Sequence, residues 1–237
     1  MTNLAFVLVL GISFSAVNCF ILSADTNRKV TAVLRVANGG QYGYWTRPHF
    51  CPNGTFASGY SMKIEPQQTF GDDTSLNGIR LTCSDETGHS TNNVFDPNPG
   101  TISSEEGPFG SYGKVETCKQ WFNNTDYLTR FALQVEAPQG GGDDTAANFV
   151  KFECQPITGV DSQVNVTELV ASPGAGYWGK WGEWSEPCPV NSAICGLMTK
   201  IETVQGDGDD TALNDVVFYC CSKDGRGNNG NGGGIVG

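Results

Sequence analysis

Three pairs of adjacent aspartates recur in one tetrapeptide, Gly-Asp-Asp-Thr, and paired carboxylates are the groups that glycoside hydrolysis and calcium binding use. The pairs are Asp72 and Asp73, Asp143 and Asp144, and Asp209 and Asp210. A glycosidase needs two carboxyl groups about 5 to 10 Å apart, one of them with a raised pKa. Calcium needs several oxygens that converge on one ion, whereas a structural turn needs only Asp and Thr side chains that bond the nearby backbone. An active site is a single asymmetric arrangement, so threefold repetition favours the structural turn, and we assign no catalytic residue, metal or cofactor.

A second acidic set stands six residues before the glycine of each tetrapeptide. Its members are Glu65, Glu136 and Glu202. A charged residue at the end of a strand is usually solvated. If the three carboxylates met near a common axis, they would instead form an acidic mouth for a polyol or an amino sugar. We therefore keep them as candidate glycan contacts.

Aromatic residues are the remaining candidates for contact with a sugar. Each repeat opens with an aromatic residue, glycine, any residue and a second aromatic residue. The three openings are Tyr42-Gly43-Tyr44-Trp45, Phe109-Gly110-Ser111-Tyr112 and Trp181-Gly182-Glu183-Trp184. Aromatic residues in a repeated motif are more often packed than exposed, which predicts packing for Trp45, Tyr112 and Trp184. Trp178 lies outside this motif and is the better candidate for stacking on a sugar ring.

The spacing of these residues indicates that the chain contains three repeats. Besides the preceding glutamate, each tetrapeptide has a cysteine twelve residues after its glycine. Repeats of this kind bury their apolar faces against one another. We expect a single domain over residues 39–221 with repeats at 39–83, 107–154 and 177–221, because one repeat alone would be marginally stable.

The elements that position the candidate residues are predicted to be β-strands. Apolar and polar residues alternate with a period of two, for example over residues 130–136 and 149–154. The chain also has 31 glycines and 11 prolines, and no segment shows a convincing helical stripe. This pattern predicts an all-β fold in which each repeat forms one small sheet. Three such sheets, facing inward about a pseudo-threefold axis, would close a prism.

The first 19 residues are uncharged and largely apolar, which predicts a secretory signal peptide cut after Cys19 or after Ala24. Either cut leaves eight cysteines, and an even number in a secreted chain predicts four disulfides. Every repeat has one cysteine before its tetrapeptide and one after it. The expected pairs are Cys51 with Cys83, Cys118 with Cys154, and Cys188 and Cys195 with Cys220 and Cys221 in either order.

Charge and the remaining motifs narrow the choice of partners. The net charge of −11 argues against nucleic acid and anionic membrane surfaces. Beyond the leader we expect no membrane span, and we expect a monomer.

The sequons predict glycosylation at Asn53, Asn123 and Asn165. Residues 225–237 are mostly Gly and Asn and are predicted to form a disordered tail.

With these motifs in place, the chain resembles the vitelline membrane outer layer protein I family. The resemblance covers roughly residues 39–221 and rests on the aromatic openings, the Cys-Pro turns, the Lys-Ile-Glu strands and above all the segment from Gly71 to Cys83. The second repeat departs from the pattern, because it has Cys118-Lys119 in place of Cys-Pro and Ala147-Asn148 in place of Leu-Asn. The resemblance implies a β-prism of three Greek-key antiparallel sheets in a secreted protein of egg coats and other extracellular layers.

The resemblance also bears on activity. It implies a lysozyme-like ability to extend N-acetylglucosamine oligomers. Together with the residues, it predicts a secreted, extracellular structural protein that associates with coat proteins or glycans and is not a catalyst. The alternative is a weak glycan transferase that uses carboxylates of the Asp or Glu sets.

Overall fold

The computed structural model describes most of the three predicted repeats. The described residues are 28–68, 74–88, 100–121, 124–138, 145–158, 166–203 and 211–223. Several predictions concern residues outside these ranges: the signal peptide, the three aspartate pairs, the sequon residues Asn123 and Asn165, and the glycine-rich tail.

The described residues form β-strands, turns and loops, as the alternating sequence pattern predicts. In chain order the strands are β1 Val30–Leu34, β2 Tyr44–Trp45, β3 His49–Phe50, β4 Phe56–Ile64, β5 Leu76–Ser84, β6 Thr101–Ser103, β7 Ser111–Tyr112, β8 Glu116–Thr117, β9 Gln120–Trp121, β10 Asn124–Val135, β11 Ala147–Pro156, β12 Thr167–Leu169, β13 Lys180–Trp181, β14 Ser192–Ile201 and β15 Leu213–Ser222.

These strands form three antiparallel sheets, each built around one long hairpin. The first sheet has the order β6-β5-β4-β7 with β8 beside β4, and the second has the order β12-β11-β10-β13 with β9 beside β10. The third sheet has the order β1-β15-β14-β2 with β3 beside β14. Strands β4, β10 and β14 contact one another in every pairwise combination. The sheets therefore surround a common core, and the prediction of an all-β prism is confirmed.

The assignment of one whole sheet to each repeat is wrong in one respect, because the opening strands are exchanged. Strand β7 of the second repeat pairs with β4 of the first, and β13 of the third repeat pairs with β10 of the second. Strand β2 of the first repeat pairs with β14 of the third, which closes the ring. An alternating pattern predicts that a segment is a strand but does not identify its partner.

The third opening also lies three residues earlier than predicted. The pairs Lys63 with Tyr112 and Gln134 with Trp181 show that Trp181, not Trp184, is the last residue of that opening. Its glycine is Gly179, which has a φ of 78°, close to the values at the glycines of the other openings. The third opening is therefore Trp178-Gly179-Lys180-Trp181, and Trp178 belongs to the repeated motif.

The core lies between the sheets and is largely aromatic. Phe131, Phe152 and Phe218 are completely buried, and the ring centroids of Phe131 and Phe218 lie 4.7 Å apart in an edge-to-face arrangement. Tyr60 of the first sheet packs edge-to-face on Phe152 of the second, also at 4.7 Å. Each of these rings removes a large apolar area from water, so the three sheets depend on one another for their stability.

Four disulfides join the eight cysteines that the structure describes: Cys51–Cys83, Cys118–Cys154, Cys188–Cys220 and Cys195–Cys221. The first three each connect neighbouring sheets. For example, the backbone N–H of Cys118 donates to Ser58 O in the first sheet, while Cys154 lies in β11 of the second. The fourth lies within the third sheet, between β14 and β15. Strand exchange and disulfides therefore link the sheets in the same cyclic order.

Candidate functional site on the outer face of the second sheet

The three candidate glutamates take part in a hydrogen-bond network that recurs in every sheet. Thr145, the last residue of its tetrapeptide, donates from Oγ1 to Glu136 Oε2 at 2.7 Å and from its backbone N–H to the same oxygen at 3.3 Å. The side-chain amide of Asn148 donates to Thr145 Oγ1 at 2.6 Å. The same bonds from threonine to glutamate and from asparagine to threonine recur in the other two sheets, with Glu65, Thr74 and Asn77 and with Glu202, Thr211 and Asn214.

This network fixes the end of each hairpin. The residue after each threonine has positive φ, 53° at Ser75, 43° at Ala146 and 47° at Ala212, a conformation that needs support from its neighbours. The glutamate backbone N–H donates to the carbonyl of that residue, for example from Glu136 to Ala146 at 2.8 Å. The three glutamates are therefore buried or half-buried partners of their turns rather than solvated strand ends.

The predicted aromatic residues lie on the outer faces of the sheets. Trp45 is 37% exposed, and the guanidinium carbon of Arg35 lies 5.7 Å from its ring centroid. Tyr112 is half-buried, and the guanidinium carbon of Arg80 lies 3.8 Å from its ring centroid. Trp184 is also half-buried. Trp178 is half-buried, and its ring centroid lies 5.5 Å from that of Tyr177, which is 63% exposed.

The outer face of the second sheet differs from the other two. The position after the buried asparagine is Gly78 in the first sheet, Asp215 in the third and Phe149 in the second. Phe149 is completely buried and packs edge-to-face on Trp181 at 6.0 Å between ring centroids. The ammonium group of Lys151 lies 4.7 Å from the centroid of Trp181 and 4.9 Å from that of Trp184. We call Phe149, Lys151, Trp181 and Trp184 the aromatic face.

At the corresponding places the other sheets have polar groups. In the first sheet the hydroxyl of Tyr112 donates to Glu106 at 2.5 Å, and burial together with this bond raises the pKa of Tyr112 above its ordinary value. In the third sheet burial raises the pKa of Asp215 to about 6, while Val216 N–H, Lys200 and Arg35 oppose that rise. Neither arrangement offers the apolar surface that the second sheet has.

A groove of about 390 Å³ lies at one end of the aromatic face. Its walls are residues 38–41, 135–138 and 180–182. The side chain of Asn38 donates to Leu133 O at 2.9 Å and packs so closely on Gly182 that a Cβ there would lie 2.3 Å from Asn38 Cγ. We call this the tryptophan groove. Trp181 and Glu136 both line it, and its wall is held by contacts within the protein.

The sequence prediction included Glu136 but missed the other residues of this site. The sequence predicts packing for Trp184, and it gives no signal that assigns a role in the site to Trp181, Asn38, Phe149 or Lys151. An alignment of the three repeats on their buried asparagines would have shown that Phe149 replaces a glycine and an aspartate.

Among the residues that the structure describes, no cluster of His, Cys, Asp or Glu suits a metal ion. None of their segments is a helix of the length and apolar character that a membrane span requires.

Comparison with known proteins gives close relatives. The human protein described as vitelline membrane outer layer protein 1 homolog is 41% identical over 198 residues, which cover 83% of this chain and 86% of the relative. The mouse protein of the same description is 40% identical over 196 residues, which cover 82% of this chain and 86% of the relative.

Solved structures show a looser resemblance. A mannose-specific jacalin-related lectin from Morus nigra, in complex with mannose, aligns with a TM-score of 0.43 and 10% identity over 84% of this chain and 97% of the lectin. Calsepa lectin in complex with a biantennary N-glycan aligns with a TM-score of 0.41 and 13% identity over 80% of this chain and 95% of the lectin.

Residues 32–223 match the model of the family described as vitelline membrane outer layer protein I, a span that includes all three sheets except the first two residues of β1. This match agrees with the human and mouse relatives and with the three antiparallel sheets. The chain therefore belongs to the vitelline membrane outer layer protein I family.

Proposed function

We propose that this protein is a secreted, non-catalytic component of an extracellular coat that binds neutral carbohydrate in the tryptophan groove. The observation that carries the proposal is the juxtaposition of Trp181 with Glu136 and Lys180 in a groove of about 390 Å³. Small-ligand sites typically combine an apolar wall with a few polar groups that fix orientation. A sugar ring has an apolar face for the indole and hydroxyl groups for the carboxylate and the ammonium group.

The groove is held in shape without a ligand. Asn38 is tied to Leu133 O, and the backbone N–H of Gly182 donates to the same carbonyl at 3.0 Å. Lys151 and Phe149 support the indole of Trp181 from the sheet. A preformed site loses less conformational entropy on binding, which favours affinity for a small polar ligand.

The family and the four disulfides are consistent with an extracellular location, because disulfides persist in oxidising compartments. In this setting we propose that the signal peptide over residues 1–19 is removed and that Asn53, Asn123 and Asn165 accept glycans. Asn53 lies on an exposed turn. Coat proteins and glycans of the same layer would be the partners of a monomer.

The proposal is tested by binding to an array of neutral glycans, followed by calorimetry on the oligosaccharides that bind. We expect Trp181→Ala to weaken binding at least about tenfold, which corresponds to about 1.4 kcal/mol. The matched control is Trp45→Ala, because Trp45 occupies the same place in the opening that pairs with the third sheet. Absence of binding to any neutral glycan, or equal losses in both variants, would contradict the proposal.

The alternative, a weak glycan transferase, is tested in the same preparation. N-acetylglucosamine oligomers would be incubated with the protein and analysed by mass spectrometry. We expect binding without chain extension or cleavage. New oligomer lengths that disappear in a Glu136→Gln variant would instead favour the transferase.

A further inference from the structure

The first and third sheets have a glycine where the second sheet has Arg130, and in both the glycine is covered by a short strand. Gly59 pairs with Thr117 of β8, and Gly196 pairs with Phe50 of β3. A Cβ on Gly59 would lie 2.5 Å from Glu116 O, and one on Gly196 would lie 2.8 Å from His49 O. The covering strand can approach this closely only because glycine has no side chain.

In the second sheet the facing segment, residues 185–188, forms no strand at this position. Strand β10 has Arg130 at the glycine position, and the facing segment contains Pro187, which has no N–H to donate to a ladder. That segment stays attached at its two ends, because Ser185 N–H donates to Phe131 O and Cys188 N–H donates to Thr129 O, both at 2.8 Å. A groove of about 540 Å³ lies beside this segment and is lined mainly by residues of β10, of β11 and of 187–192. We call it the arginine groove.

The arginine groove has a fixed pair of opposite charges at its base. Arg130 Nη2 donates to Glu153 Oε1 at 2.8 Å, and Arg130 Nε lies 2.8 Å from Glu153 Oε2. The guanidinium carbon lies 5.0 Å from the ring centroid of Trp184. The pair therefore places guanidinium donors beside carboxylate acceptors, and such neighbouring groups suit adjacent hydroxyl groups.

Much of the remaining lining is apolar. Val190 is 70% exposed and Val166 is 42% exposed, and three prolines lie beside them. The buried polar residues Thr129, Gln155 and Ser192 also line the groove. The charges of Arg130 and Glu153 cancel, and the chain as a whole carries −11. A neutral polyhydroxylated ligand therefore fits this groove better than an anionic one, which the protein would repel.

The two grooves lie at opposite ends of one surface. Arg130 and Glu136 are six residues apart along and just beyond β10, which corresponds to about 20 Å for an extended strand. Between them lies the aromatic face, in which Lys151 contacts both Trp181 and Trp184. A ligand that reaches both grooves must be a chain of several sugar rings.

We propose that the arginine groove is a second subsite that holds the distal rings of a neutral oligosaccharide whose first rings lie in the tryptophan groove. This inference rests on the proposed function. It assigns Arg130 and Glu153 a role in the recognition of chain length, and it confines the extended site to the second sheet.

The test is calorimetry with mannose, galactose and N-acetylglucosamine oligomers of two to six rings. For the wild-type protein we expect affinity to rise at least about tenfold from disaccharide to hexasaccharide. Arg130→Gln and Arg130→Gly, the latter restoring the residue of the other sheets, should abolish this gain and leave disaccharide affinity unchanged. Arg80→Gln is the matched control, since Arg80 lies over Tyr112 on the first sheet and should keep the full gain.

The outcomes separate the two proposals. If disaccharides bind but affinity does not rise with length, or if the rise survives in both Arg130 variants, the second subsite is wrong while carbohydrate binding stands. If no oligomer binds at any length, both proposals fail. Tighter binding of uronic acid oligomers than of neutral ones would also overturn the second subsite as described.

Discussion

Asn148 Oδ1 accepts the backbone N–H of Trp178 across 3.2 Å, so a side chain of the second repeat holds the first residue of the opening of the third. Asn77 and Asn214 hold Phe109 and Tyr42 in the same way, also at 3.2 Å. All three asparagines are completely buried. Because each also bonds the threonine of its own turn, the turn of one repeat and the opening of the next are stabilised by one side chain.

Asn148→Ala should lower the free energy of unfolding by about 2–4 kcal/mol, because it leaves Trp178 N–H and Thr145 Oγ1 without their buried partner. Urea unfolding followed by tryptophan fluorescence measures the change. The control is Glu183→Ala at an exposed position, which should change stability by less than about 0.5 kcal/mol. Similar losses in the two variants would contradict the role of the buried asparagine.

Tyr60→Phe should destabilise the contact between the first and second sheets. The hydroxyl accepts Ala171 N–H at 2.8 Å and donates to Val150 O at 3.1 Å, so its removal leaves two buried backbone groups unpaired. We expect a loss of about 1–3 kcal/mol and faster hydrogen exchange of the Ala171 amide. Tyr44→Phe, at an exposed ring, should show neither effect.

The repeats and their sheets could be predicted from the sequence because they depend on local signals. The period of two and the regular spacing of Glu65, Glu136 and Glu202 from their tetrapeptides follow from how each hairpin folds. The pairing partners of the short opening strands could not be predicted in this way, because each pairs with a hairpin of another repeat. Both Trp178-Gly179-Lys180-Trp181 and Trp181-Gly182-Glu183-Trp184 satisfy the opening pattern, and the structure decides between them by the pairing of Gln134 with Trp181 and the positive φ of Gly179.

The candidate site was harder to predict for a related reason. Repetition draws attention to residues that the three repeats share, and the shared glutamates, threonines and asparagines that the structure describes stabilise turns. Phe149 and Arg130 are exceptions to the repeat, so their meaning depends on what covers the same positions in the other sheets. That information is contained in the contacts of Gly59 and Gly196 with neighbouring strands rather than in any local motif.

Asp215 should make stability depend on pH. Burial raises its folded-state pKa to about 6, above the value of 3.8 for a free side chain. The folded state therefore binds the proton more tightly, and this group lowers stability as the pH rises from about 4 to about 6. Asp215→Asn should thus gain stability relative to the wild type over this range. With a partly solvated carboxyl we expect a gain of about 1–2 kcal/mol by pH 7.

Urea midpoints of both proteins at pH 4 and pH 7 measure this effect. The Asn side chain can still accept Val216 N–H, which donates to Asp215 Oδ1 at 2.8 Å. The stability difference between the two proteins should therefore be small at pH 4 and grow toward pH 7. A constant difference would show that the carboxyl does not titrate with an elevated pKa.

The disulfides should differ in their contributions according to what they connect. Cys118–Cys154 and Cys195–Cys221 close loops with separations of 36 and 26 residues. On chain entropy alone each contributes about 3.5–4 kcal/mol, with a difference of only about 0.3 kcal/mol. Because only the first joins two sheets, we expect its replacement by alanines to cost about 1–2 kcal/mol more. Equal urea midpoints for the two double variants would show that the connection between sheets adds nothing.

The exchange of opening strands joins the three repeats in a cycle, so the folded molecule does not depend on which repeat comes first in the chain. Ser222 N–H donates to Lys29 O at 3.1 Å, so β1 and β15 are adjacent where the ring closes. A circularly permuted chain, joined by a short linker between these two strands and opened in the segment that connects β6 to β7, would keep every sheet and every disulfide. Its topology would have a different first strand, but the prism would have the same three walls.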